Sequence, residues 1–408
     1  MLRVLFLIED GPFLFDNRVR REARTLRDAG AQVVVISPRH RGEAWHDVAD
    51  GIHVYRYPLP SLGAGFAAHV AAYLISFCAQ TLLTAWVAWR HGFDAIHAAN
   101  PPDVMWLIAM PYRFLRGTRF VFDHHDLVPE LYADRFARAR PRLAALMRFL
   151  ERRSFALAHH VISTNEHYRA VAMRRGGKRP DEVTVVRNGP AAQDFPAGAA
   201  DPTIRARGRI VVGYLGNMNP QDGVDRFLEM ARVIRQQHGR TDIAFVMVGS
   251  GDSFADLLRL RDQWGLTDAV VMTGRIAWAE VLAALRATDI CVQPDPPGRL
   301  NDCSTMNKLM EYMALGRAVV ACDLAQTRVS GGDAVLYTDG GSAAALATAV
   351  LAVADDPPRM AAMQRAGLQR VRDVLGWQHQ SPRLLAVYEK LFPGRLAGAA
   401  GAAADEAM

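Results

Sequence analysis

The chain has 408 residues, with 48 Lys and Arg against 42 Asp and Glu, and a formal net charge of +6. That length is too great for one compact core and implies two domains. Half of the residues are hydrophobic, which implies a globular chain and excludes a disordered one. The four cysteines, Cys78, Cys291, Cys303 and Cys322, show no metal-ligand spacing, so reduced thiols in the cytoplasm are expected. The strand-like run 1–8 passes straight into Glu9 and Asp10, and no signal peptide is expected. Charge is unevenly placed: 26 basic and 19 acidic residues precede residue 196, against 22 and 23 after it. The basic excess, concentrated in 135–153, suits an anionic membrane surface or a phosphorylated acceptor. No nucleic-acid-binding motif or aromatic stacking platform accompanies it, so nucleic acid is not an expected partner.

In chain order, strands are predicted over 3–8, 32–37, 53–57, 95–98, 119–123, 161–163 and 183–186. Helical periodicity falls at 18–29, 66–90, 103–115, 142–158 and 166–175. Residues 66–89 are long enough to span a bilayer. His69, Gln80, several hydroxyls and the lack of a partner span favour a buried or interfacial helix there. Residues 188–207 are rich in Ala, Pro, Gly and Asp and read as a linker. Strands then recur at 210–215, 243–248, 269–273, 290–293, 318–321 and 334–337. The helices between them lie at 223–238, 253–264, 278–287, 307–314 and 343–354. Helical text continues from 359 to about 391, and the low-complexity tail 393–408 is expected to be disordered. The fold class is therefore α/β, with two Rossmann-like, doubly wound parallel-sheet domains facing a cleft. The boundaries are 1–190, a linker over 191–208, and 209–376, with about 377–392 crossing back to the first domain.

The most informative stretch is 301–316, NDCSTMNKLMEYMALG, between two apolar strands. It places a helix N-terminus at the C-terminal edge of a parallel sheet, where α/β proteins hold phosphorylated ligands. Ser304 or Thr305 is expected to cap the helix, and Met306, Leu309, Met310 and Met313 to form its buried stripe. Lys308 is a cation in the first turn, which the helix dipole disfavours unless an anion is near; a surface pair with Glu311 is the plainer alternative. Three more strand ends carry open loops: Gly216-Asn217 before a helix capped near Asp222, Gly249-Ser250-Gly251, and Thr273-Gly274-Arg275-Ile276.

These landmarks, with Asp16-Asn17-Arg18, Asp123-His124-His125-Asp126 and Glu130, stand in the order of a known family. The chain resembles the retaining GT-B glycosyltransferases of family 4, in a branch found in bacterial surface-polysaccharide pathways. The resemblance covers about residues 2–388. It implies sugar transfer from a nucleoside diphosphate sugar, of uridine or guanosine, to a glycan or lipid-linked acceptor. No metal and no further cofactor are implied. Glu311 matches the carboxylate that bonds the donor ribose. Asn301, Asp302, Ser304, Thr305, Met306 and Asn307 would lie over the donor sugar and phosphates, Gly216 and Asn217 against the diphosphate, and Gly249 and Ser250 on the same rim. Thr273, Gly274, Arg275 and Ile276 would border the base. Lys308 would stabilise the leaving group, and His125 and Asp126 would orient the acceptor or the donor sugar. Asp16, Asn17, Arg18 and Glu130 are acceptor-side candidates. The chain departs from the family pattern at Cys303, where an acidic sugar contact is usual, and in lacking the usual basic pair after the first strand of the second domain. Two other enzyme readings are weaker: a nonhydrolysing epimerase fits the landmarks poorly, and a nicotinamide dehydrogenase would need G-x-G-x-x-G where Glu9-Asp10-Gly11 stands. A binding protein without activity is the remaining alternative. The basic first half and the apolar helix at 66–89 suggest a lipid-linked acceptor and peripheral contact with the inner face of the cytoplasmic membrane.

Overall fold

A computed structural model describes residues 1–9, 11–40, 42–58, 66–135 and 141–397. Asp10, residues 136–140 of the basic run and residues 398–408 of the expected tail lie outside them. The chain divides into two compact units, residues 1–188 with 378 onward, and residues 189–377.

The first unit is built on eight strands: β1 (Arg3–Leu7), β2 (Gln32–Arg39), β3 (His46–Ala49), β4 (Ile52–Pro58), β5 (Ala95–Ala99), β6 (Arg119–His124), β7 (His160–Ser163) and β8 (Val183–Val185). Their order is β3-β4-β2-β1-β5-β6-β7-β8, parallel throughout except for β3 against β4. The sequence reading lacks β3. Its turn is Asp50-Gly51, both at positive φ (54° and 73°), the Asp-Gly hairpin geometry. Helix Val128–Arg135 was also not expected. The helix Ser381–Leu391 packs on this unit. Tyr388 is fully buried, its hydroxyl 2.8 Å from His97 Nδ1. Of the tail expected to be disordered, residues 393–397 are docked: Leu396 is buried, and the Ala397 amide donates to the Ala29 carbonyl at 2.8 Å.

The second unit holds β9 (Ile210–Leu215), β10 (Ile243–Val248), β11 (Val270–Gly274), β12 (Ile290–Gln293), β13 (Ala318–Cys322) and β14 (Val335–Thr338). The order β11-β10-β9-β12-β13-β14 is that of a Rossmann sheet, all parallel, with its switch point between β9 and β12. Both faces are covered, which is why the strands read as continuous apolar runs. Alternation sorts them: Ile210, Val212 and Tyr214 join one core, and Val211 joins the other. The segment read as a linker is packed on this unit. Ile204 is in its core, Trp278 Nε1 donates to the Asp194 carbonyl at 2.9 Å, and residues 202–205 form a short helix capped by Asp201.

Candidate functional site

In the second unit, β11, β10, β9 and β12 are neighbours in one parallel sheet, so the four loop-bearing strand ends lie side by side along one edge. Backbone bonds knit their loops together. The amides of Gly216 and Met218 donate to the Val248 and Ser250 carbonyls, each at 3.1 Å, and Gly249 donates to the Gly274 carbonyl at 3.2 Å. The approach is close enough to require glycine: a Cβ on Gly249, where φ is +130°, would stand 1.9 Å from the Gly216 carbonyl. Asn217 and Arg275 are exposed, while Ser250, Thr273 and Ile276 are half-buried. Thr273 Oγ1 donates to the Gly274 carbonyl at 2.9 Å.

Ser304 and Asp222 do not cap the helices that follow them. Helix Asn307–Ala314 starts from Met306, with no side-chain cap, and Ser304 Oγ instead donates to the Leu300 carbonyl at 2.8 Å. Residues 298–304 already turn on their own backbone bonds, which directs Ser304 backward. Asp222 does not cap the next helix, Val224–Arg232. Its carboxylate accepts from the Asn219 amide at 2.9 Å and closes a short turn ahead of Gly223.

Lys308 does not pair with Glu311 as the plainer sequence reading had it. Its Nζ lies 2.9 and 3.0 Å from the two oxygens of Asp295, a residue the sequence reading did not single out. Asp295 is 1% exposed and stands two residues past the end of β12, at the switch point. Burial alone would lower the Lys308 pKa, but the Asp295 carboxylate, with Asp222 behind it, holds it above its ordinary value. Burial pushes the Asp222 carboxyl up, against the pull of Lys308. Lys308 also sits over the Tyr214 ring, 5.0 Å from its centroid, and its Cε would meet a Cβ placed on Gly216 at 3.3 Å. So Lys308, Gly216 and Asp295 share one spot at the switch point. Tyr312, one residue after Glu311, is fully buried. It fixes the end of β9 by accepting from the Leu215 amide at 2.8 Å. Glu311, Asp302, Thr305 and Met306 are half-buried, and Asn307 is exposed. Asn301 is 8% exposed, and its Nδ2 donates to the Gln221 and Pro296 carbonyls at 3.1 and 2.9 Å. It ties two loops together and does not point outward, contrary to the expectation that it lies over the sugar. A cavity of about 440 Å³ beside this rim is lined by Asn219, Ser253 and Leu257, with Asp225 and Asp256 against one Arg259. That balance does not suit a diphosphate.

In the first unit the expected acceptor-side residues are largely engaged in holding the fold. Arg18 is buried, and its guanidinium binds both Asp123 oxygens at 2.9 and 2.7 Å, Glu22 at 3.1 Å, the Val186 carbonyl at 2.7 Å and Asn188 at 2.5 Å. Every donor nitrogen is taken, so Arg18 is a structural ion and not an acceptor contact. Asp16 accepts from the Val19 amide at 3.0 Å and caps the helix Asn17–Asp28, where Asn17 is half-buried. Glu130 is ion-paired with Arg175. His97 stands 3.3 Å from Glu22 and 3.5 Å from Asp123. Burial opposes its charge, yet these two carboxylates raise its pKa to about 9. Glu22, His97 and Asp123 could by spacing alone hold a metal, but Arg18 already bonds both carboxylates, so the donor set does not fit one.

His125 keeps an accessible edge, with 17% of its side chain exposed, and its Nε2 bonds Asp123. Burial opposes its protonation, and Asp123 raises its pKa on balance. Asn100 was missed in the sequence. Its Oδ1 accepts from the His125 and Asp126 amides at 2.6 and 3.1 Å, and its Nδ2 donates to the Asp126 carbonyl at 2.8 Å. The signal for it was Asn-Pro-Pro-Asp at the end of β5. His124, by contrast, is core: fully buried against Phe155 and Tyr168, and held neutral by burial with a pKa of about 3.

Two α/β units of this kind, each with a strand-end cluster, define a class. The sequence profile of a glycosyl transferase 4-like domain matches residues 16–189, and that of glycosyl transferases group 1 matches residues 209–356. The chain belongs to the family-4-like glycosyltransferases, with the GT-B architecture. It is 29% identical over 183 residues to a 2-deoxystreptamine glucosyltransferase from Streptomyces kanamyceticus, covering 44% of this chain and 46% of that one. It is 28% identical over 251 residues to a GDP-mannose-dependent alpha-(1-6)-phosphatidylinositol monomannoside mannosyltransferase from Mycolicibacterium smegmatis, covering 52% and 63%. The chain thus spans about half to 63% of the length of these curated relatives. Among solved structures it is similar to sucrose-phosphate synthase from Thermosynechococcus elongatus, with a TM-score of 0.73, 18% identity, and 96% and 99% of the two chains covered.

Proposed function

We propose that the protein transfers a sugar, with retention, from a uridine or guanosine diphosphate sugar to a glycan or lipid-linked acceptor of a bacterial polysaccharide pathway. The enzyme works on the cytoplasmic side of the membrane, in peripheral contact with it through the basic first unit. The observation that carries this reading is the switch point between β9 and β12. A glycine loop, the helix N-terminus at Asn307 without a side-chain cap, and Lys308 meet there, the arrangement that suits a diphosphate. The GDP-mannose dependence and lipid acceptor in the name of the mycolicibacterial relative support the donor class and the acceptor class.

In this reading the bond between the sugar C1 and the diphosphate oxygen breaks, and the acceptor oxygen bonds C1 from the same face. The acceptor hydroxyl proton passes to the departing phosphate, so no separate base is required. Negative charge grows on the leaving diphosphate. Lys308 and the helix amides meet that charge, and such preorganised contacts contribute ~3–4 kcal/mol each. Asp295 holds Lys308 in place before the donor arrives. Glu311 accepts from the ribose hydroxyls, as a carboxylate does well. Gly216 and Asn217 border the diphosphate, and Thr273 to Ile276 the base. His125 and Asp126, gripped by Asn100, orient the sugar or acceptor.

The test is transfer from uridine and guanosine diphosphate sugars, with the product anomer read by NMR. Lys308→Ala lowers kcat about 100-fold or more. Glu311→Ala raises the donor KM about tenfold, the loss of roughly one charge-assisted hydrogen bond. Unchanged activity in both variants sinks the donor-site assignment, and inversion of the anomer sinks the retaining mechanism.

A further inference from the structure

We propose that the first unit docks on an anionic lipid surface through the outward faces of three helices, Phe66–Arg90, Trp106–Arg116 and Pro141–Leu157. The primary observation is that the first of these is inside out. Ser76, Gln80 and Thr84, four residues apart, form one stripe, and each is 0% exposed. Leu74, Leu82 and Trp89 point the other way and are 61%, 73% and 80% exposed. A helix on a water-facing surface does the reverse. The inward polar stripe has a reason: Gln80 Nε2 donates to the Tyr57 hydroxyl at 3.0 Å and to the Ile8 carbonyl at 3.3 Å, which satisfies the end of the first strand. That anchorage also keeps the helix on the sheet, although residues 70–90 are long and apolar enough to cross a bilayer.

The two neighbouring helices extend the same surface. Phe114 and Leu115 are exposed on one, Leu146 and Phe149 on the other. Arg116 reaches the Ala88 carbonyl at 3.5 Å, and Arg113 bonds the Leu157 carbonyl, so the three lie side by side. The exposed charges on these helices are all positive: Arg90, Arg116, Arg142, Arg148, Arg152 and Arg153. Their one acid, Glu151, is fully buried and bonded to Arg175 at 3.1 Å. Apolar side chains within a purely basic fringe, with tryptophan at the helix end, match the boundary of an anionic membrane. A second copy is a poor occupant, because a two-fold contact sets this all-positive face against itself.

The inference extends the membrane contact of the proposed function, and its test is read apart from sugar transfer. The full-length chain is floated with phosphatidylcholine vesicles, with and without phosphatidylglycerol. Flotation is expected only with the anionic vesicles, and is weakened by salt. Arg148→Gln with Arg152→Gln lowers partition about 30-fold, from ~1 kcal/mol per basic residue near the surface. Trp89→Ser with Leu115→Ser abolishes it, with the melting temperature unchanged because both side chains are exposed. Transfer to a soluble acceptor stays unchanged in both double variants. No flotation, or flotation indifferent to the variants, overturns the proposal. So does light scattering that finds a dimer dissolved by Trp89→Ser with Leu115→Ser.

Discussion

Each unit gathers charge at strand ends, but to opposite purposes. In the first, Arg18, Glu22, His97 and Asp123 are buried together and use one another up. In the second, Lys308 has one close partner, Asp295, and keeps 12% of its side chain accessible. A closed cluster fixes a fold at the cost of desolvating every ion, and losing one member strands the rest. An open pair can exchange a partner for an incoming anion. The contrast separates charge that builds the molecule from charge available to chemistry.

The variant that tests the contrast most severely is Arg18→Met. It leaves Asp123 and Glu22 buried without their cation, and the first unit loses about 3–5 kcal/mol. Chemical denaturation reads this, and a cost below ~1 kcal/mol ends the description of Arg18 as a structural ion. The next effect is one of pH. Burial disfavours charged His97, but Asp123 and Glu22 raise it to about 9. A base raised on folding stabilises fully below its unfolded pKa of ~6.5 and loses that contribution as pH climbs through about 9. Up to about 3 kcal/mol is at stake, and His97→Gln flattens the decline seen in melts between those pH values. Asp295→Asn is expected to cost less, about 1–3 kcal/mol, because Lys308 has a flexible stem and reaches solvent. If it destabilises as much as Arg18→Met, the second cluster is no more open than the first. The smallest effect is Asp16→Ala, which removes one helix cap and lowers stability by about 1 kcal/mol. Transfer kinetics at saturating acceptor should not change, whereas a raised acceptor KM would restore Asp16 to the acceptor side.

Continuous apolar runs and period-3.6 patterns carried most of the architecture, because strands buried on both faces must be apolar throughout. The hairpin strand His46–Ala49 escaped because it lies at the sheet edge, where its side chains alternate between exposed and half-buried and no apolar run is needed. The glycine loops and Lys308 were legible from their spacing after strands. Asp295 and Asn100 were missed because neither leaves a periodic trace: Asp295 pairs with Lys308 across the loop between them, and Asn100, marked only by Asn-Pro-Pro-Asp, grips the backbone of His125 and Asp126. Arg18 was misjudged for the same reason. Asp123 lies 105 residues away in sequence, and only the fold brings them together.

Asn301 joins the loop after β9 to the loop after β12 through two carbonyls, Gln221 and Pro296. Residues 216–223 and 294–306 therefore behave as one cassette. Grafting either loop alone would cut that stitch and misplace its neighbour, so an exchange that keeps the fold carries both segments, with the asparagine that sews them, as a single part.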